Sequence, residues 1–129
     1  MLNGRTVLIV EAEFLIAFDI QRMLEAQLTG SMLFARSPVE ASEHQALWPT
    51  IDLAIVDVGL DAEGILPLLL GLRQAGVALI LSTTESKMRQ GHPQFPGAPV
   101  LIKPMIEDDF HRAVSAALGG AIRRSGYES

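Results

Sequence analysis

Short apolar runs recur along the chain, the first of them rich in β-branched residues, and between them the apolar residues return every three or four positions instead. The runs are Arg5 to Val10 (RTVLIV), Met32 to Ala35, Leu53 to Val58 (LAIVDV), Val77 to Leu81 (VALIL) and Val100 to Ile102. A run without polar alternation predicts a strand covered on both faces, as in a parallel sheet.

The intervening stretches read as helices. From Phe14 to Leu28, Leu15, Phe18, Met23 and Leu24 fall at roughly helical spacing, with Asp19, Arg22 and Glu25 between them and Gly30 closing the segment. Ser37-Pro38 followed by Glu40 resembles a capped helix start running to about Leu47. Glu63 to Ala75 is leucine-rich, and Glu107 to Ile122 carries Phe110, Val114, Ala117 and Leu118 on one face. The prolines between Ser86 and Pro99 leave room only for a short helix there. Five strands alternating with helices predict an α/β chain: a doubly wound, five-stranded parallel sheet in a three-layer sandwich with right-handed crossovers.

At 129 residues the chain fits one domain over 1–129, with its core at about 5–122 and a polar tail at 123–129, and no room for a DNA-binding output domain. The longest apolar runs are about half the roughly 20 residues that a membrane span needs, and no secretory cleavage pattern follows the N-terminus, so the expected location is the cytoplasm. Without cysteine, and with His44, His92 and His111 read as scattered, solvated side chains, no zinc site is expected. A net charge of −5 argues against a surface built for nucleic-acid phosphates, Arg123-Arg124 being a weak exception.

Parallel sheets of this kind bind ligands at the carboxyl ends of their strands. The residues there are Glu11, Asp57, Ser82 with Thr83, and Lys103. Asp57 stands out, because the apolar residues around it predict burial, and a buried carboxylate is costly unless a charge or metal stabilises it. So held, it is a nucleophile able to form an acyl phosphate. Lys103 offers a compact positive charge at a sharp strand exit made by Pro104, and Ser82 offers a hydroxyl donor.

In this order, Val7-Leu8-Ile9-Val10-Glu11, Ile55-Val56-Asp57-Val58, Leu81-Ser82-Thr83 and Lys103-Pro104-Met105 resemble the receiver domain of two-component response regulators. The likeness covers almost the whole chain, with Glu11 and Lys103 each 46 residues from Asp57. It implies a flavodoxin-like sandwich in which Asp57 accepts a phosphoryl group from a histidine kinase or histidine phosphotransfer protein. Ser82 would be the switch hydroxyl and Lys103 the charge partner, while Glu11, Asp57 and the Gly59 carbonyl would hold Mg²⁺. Such a protein is at most a catalyst of its own phosphorylation and dephosphorylation. It signals to a protein target through the face between the fourth strand and the last helix, and a homodimer stays open.

Two positions depart from the pattern. The family carries two adjacent acids after its first strand, whereas Ala12 follows Glu11 here, and Glu13 reads as an acid serving the start of the next helix. Mg²⁺ binding is therefore expected to be weak. Val100 stands where an aromatic switch residue is expected; Met105, in place of phenylalanine, is a packing substitution. These departures keep a second reading in view, a pseudo-receiver that binds a partner without phosphorylation. A free-standing phosphohydrolase would need a further positioned acid, which Ala12 removes.

Overall fold

The five apolar runs form five parallel strands, β1 (Thr6–Val10), β2 (Ser31–Ala35), β3 (Leu53–Asp57), β4 (Ala78–Thr83) and β5 (Val100–Ile102), in the order β2-β1-β3-β4-β5. This is the flavodoxin-like arrangement, with its switch point between β1 and β3. The computed structural model describes residues 2–27, 29–59 and 62–126, and the side chains of 2–27, 29–59 and 64–119.

The helices are α1 (Phe14–Glu25), α2 (Pro38–Ser42), α3 (Ala62–Gln74) and α4 (Glu107–Gly126), with 3₁₀ turns at Gln45–Thr50 and Ser86–Gln90. The second of these turns is the short helix that the prolines predict. Two-residue alternation sorts the strands into two cores. Leu8, Val10, Ala54, Val56, Leu79 and Leu81 face α2 and α3. Val7, Ile9, Leu53, Ile55, Ile80 and Leu101 face α1 and α4, where Phe110, Val114 and Leu118 of α4 are buried as anticipated. Met105 packs against this second core, and Val100 against the first.

Several expectations are corrected. β4 continues through Ser82 and Thr83, so both hydroxyls belong to the strand. The helix expected to reach Leu47 ends at Ser42, because Trp48 turns inward: its Nε1 donates to Ala41 O at 3.1 Å, and its ring lies so close to Gly71 that a Cβ there would come within 2.7 Å. α4 continues to Gly126, past the expected end at Ile122, so residues 123–126 are helical; 127–129 lie outside the described residues.

The face of α1 is the most consequential correction. Its buried stripe is Ile20, Met23 and Leu24, with Ile16 partly covered, whereas Phe14, Leu15 and Phe18 are exposed. At about 100° per residue, 16, 20, 23 and 24 share one side and 14, 15 and 18 turn away from it. Leu28, expected at the end of this helix, lies outside the described residues. The histidines, expected as solvated, are each half-buried: His111 Nδ1 lies 2.7 Å from Gln27 Nε2, and His92 Nδ1 accepts from Gln94 N–H. No helix among the described residues is long and apolar enough to cross a membrane.

Candidate functional site

The same alternation that builds the second core places the polar residues at its rim. Glu11 follows Ile9 by two, Asp57 follows Ile55, Ser82 follows Ile80 and Lys103 follows Leu101, so all four share the face of the sheet that carries α1 and α4. Register tightens the group. Asp57 sits directly opposite Ser82, and Val10 opposite Val56, which brings Glu11 alongside Asp57. Lys103 is held at the end of β4 by its own N–H, which donates to Thr83 O at 2.8 Å, and a cis Lys103–Pro104 peptide leads the chain away.

Three charges converge there. Lys103 Nζ lies 2.8 Å from Asp57 Oδ2, to which it donates, and 2.7 Å from Glu11 Oε1, an ion pair that lies off the hydrogen-bonding direction. Both acids are buried, Glu11 at 4% and Asp57 at 9% exposure, so an isolated carboxylate at either position would be costly. The backbone completes the support: Gly59 N–H donates to Asp57 Oδ1 at 2.9 Å and Glu13 N–H to Glu11 Oε2 at 3.1 Å. A Cβ at Gly59 would come 3.3 Å from Asp57 Oδ1, so a side chain there would crowd the carboxylate. Burial alone pulls the Lys103 ammonium toward a lower pKa. Contact with Asp57 and Glu11, and the charge of both, outweighs this and holds it above the ordinary lysine value.

Ser82 contributes a polar atom that, unlike Glu11 Oε1 with its ion pair, has neither a hydrogen bond nor an ion pair among the described residues. Its residue is 1% exposed, and Oγ has no hydrogen-bond partner. A buried hydroxyl in that state costs free energy unless a group that enters the site uses it. Thr83, beside it, is engaged: its Oγ1 accepts from Glu85 N–H at 3.1 Å.

The strand-end residues singled out in the sequence thus meet in one cluster, with Gly59 at its edge. Glu13 is the N-cap of α1, and its exposed side chain makes no capping hydrogen bond, so only its backbone N–H serves the site. Sequence reasoning missed the two backbone donors, since N–H direction depends on local turns that side-chain patterns do not encode. Among the described residues no three His, Asp or Glu side chains gather as a metal cluster. The donors that the structure shows there are the oxygens of two carboxylates, Glu11 and Asp57, both hard. They suit a Mg²⁺ ion that keeps most of its waters, and not a tightly caged one.

No family model matches the chain, and no curated protein matches it. Solved structures do. The BeF3-activated conformation of SdrG from Pseudomonas melonis Fr1 is 28% identical, with a TM-score of 0.74 over 92% of this chain and 99% of that one. The PhyR response regulator REC domain of Erythrobacter litoralis is 25% identical, with a TM-score of 0.71 over 90% of this chain and 91% of that one. The signal receiver domain of an HD domain-containing protein from Pseudomonas fluorescens Pf-5, 21% identical, superposes with a TM-score of 0.73 over 92% and 97%.

Proposed function

We propose that this chain, a response-regulator receiver domain in fold, is a single receiver unit over 1–129 that accepts a phosphoryl group on Asp57. The observation that carries the reading is the Glu11–Lys103–Asp57 cluster with the unpartnered Ser82 hydroxyl beside it. The donor is the phosphohistidine of a histidine kinase or histidine phosphotransfer protein, which places the chain in the cytoplasm with those proteins. The N–P bond of the phosphoimidazole breaks as an oxygen of Asp57 forms the new O–P bond, leaving a neutral imidazole and an acyl phosphate.

Each residue has a part in this. Gly59 N–H fixes the carboxylate's orientation from the Oδ1 side. The Lys103 ammonium, already 2.8 Å from Oδ2, offsets the charge that the phosphoryl oxygens bring. The Ser82 hydroxyl donates to one of those oxygens and so gains the partner it lacks. Glu11, Asp57 and the Gly59 carbonyl would hold Mg²⁺, which when bound supplies further positive charge against the phosphoryl group. The signal passes to a protein target through the face between β4 and α4.

One observation favours a second reading, a pseudo-receiver that binds its partner without phosphorylation. Ala12 leaves only two acids, and every oxygen of both already faces Lys103 or a backbone N–H. One experiment separates the two. The chain is exposed to a small-molecule phosphodonor, or to beryllofluoride, with and without millimolar Mg²⁺, and followed by intact mass and backbone amide shifts. The phosphoacceptor reading expects one adduct per chain, lost in Asp57→Ala. Absence of any adduct at millimolar Mg²⁺ overturns it and leaves the pseudo-receiver.

A further inference from the structure

β2 is an outer strand of the sheet, and Ser31-Met32-Leu33-Phe34-Ala35 lacks the usual devices that blunt such an edge: it has no proline and no charge. The ladder to β1 determines which backbone groups are left over. Ser31 N–H donates to Arg5 O, and Ala35 O accepts from Glu11 N–H. Ser31, Leu33 and Ala35 therefore point their N–H and C=O groups at β1, while Met32 and Phe34 point theirs outward.

The side chains above this edge are also open. Phe34 is exposed on the face that carries α1, next to the exposed Phe14 and Phe18, whose rings stack with centroids 6.4 Å apart. Together with Ala12 and Ala17, these three rings line a largely apolar groove of about 440 Å³. Single exposed apolar residues are ordinary, but an aromatic cluster contiguous with an unprotected strand edge is a surface suited to association.

We propose that β2 pairs antiparallel with β2 of a second copy about a two-fold axis at Leu33, making a homodimer with one sheet continuous across both copies. The case for a second copy, as opposed to another strand, is self-complementarity. In this register Met32 faces Phe34 of the other copy, and each exchanges its outward N–H and C=O with the other, so all the free edge groups at these positions are used. The same two pairs set a thioether against an aromatic ring on the α1 face. Leu33 meets Leu33, Ser31 meets Ala35 and Gly30 meets Arg36, so no like charges oppose one another. The two-fold keeps both α1 helices on one face of the joined sheet and brings Phe14 and Phe18 of each copy toward the seam.

The test is sedimentation equilibrium on the full chain from micromolar to millimolar concentration, read alongside amide exchange. The expected result is twice the chain mass, with the Met32 and Phe34 amide protons protected. Met32→Pro removes an outward N–H and leaves the ladder to β1 intact, so it should weaken dimerisation by about tenfold or more with unchanged circular dichroism. Phe34→Lys, at an exposed position, should do the same and also expose the Met32 amide to rapid exchange, which keeps the test decisive if the proline variant does not fold. A chain that stays monomeric throughout overturns the proposal. So does a dimer that survives both substitutions, or one in which the Met32 and Phe34 amides exchange unprotected.

Discussion

The carboxyl-end rim of the sheet and its β2 edge depart from ordinary burial in opposite directions. At the rim, two acids and a lysine are buried together and satisfy one another. At the edge, three phenylalanines, Phe14, Phe18 and Phe34, stand exposed, with none of the described residues covering them. Both departures cost free energy in the isolated chain, but they are made good differently. The rim is closed from within, because Lys103 reaches both acids and the backbone fills their remaining oxygens. The edge has no internal remedy, since its free groups point away from the fold. With its charges already paired, the rim leaves only the Ser82 hydroxyl open to an incoming group, whereas the edge leaves a whole surface open to a chain.

The most severe way to break the rim is to remove its cation. Lys103→Met leaves two buried carboxylates side by side, and breaking a buried pair in this way costs about 3 to 5 kcal/mol, measurable as a lower urea midpoint. The pH dependence of that loss has a definite sign. A folded-state pKa raised above the unfolded value means the charged lysine is favoured by folding. Its contribution is complete below about 10.4 and fades only as pH climbs through the raised value. The stability gap between wild type and Lys103→Met should thus not narrow from neutral pH to about 9.5, and a gap that shrinks across this range would contradict the account of Lys103.

Restoring the absent acid sharpens the comparison from the other side. Ala12→Asp adds a hard oxygen donor beside Glu11 and should raise Mg²⁺ affinity by about tenfold, some 1.4 kcal/mol, in a calorimetric titration. Unchanged affinity would show that the acids at this rim are not disposed as a metal site. Ser82→Ala is the milder test. Since Oγ has no partner, its loss should change stability by less than about 1 kcal/mol while shortening the lifetime of any Asp57 adduct. A large stability loss would mean that the hydroxyl serves the fold and not an incoming group.

The rim was legible in the sequence because a parallel sheet aligns its strand ends, so Glu11, Asp57, Ser82 and Lys103 needed only correct strand assignments to be brought together. Their mutual contacts were not legible: nothing in the spacing shows one ammonium bridging acids on two different strands. The length of β4 was underestimated for a related reason, as Ser82 and Thr83 look like loop residues until their register with β3 and β5 is known. The edge was missed altogether. In Phe14-Leu15-Ile16-Ala17-Phe18-Asp19-Ile20 two apolar stripes wrap the same helix, and periodicity alone cannot say which one faces the sheet. Packing decides for Ile16, Ile20, Met23 and Leu24, and only then does the other stripe appear as an unexplained surface.

That second stripe sets the smallest expected effect. If Phe14 does nothing for the monomer's own core, Phe14→Ser in a Phe34→Lys background should leave the unfolding free energy within about 0.5 kcal/mol of the parent, as for other surface substitutions. The stacked Phe14 and Phe18 rings bear on the same measurement, because an exposed i,i+4 pair supports its helix by only about 0.2 to 0.5 kcal/mol. A loss of several kcal/mol would place Phe14 in the fold after all, and would remove the contrast between a rim that completes itself and an edge that does not.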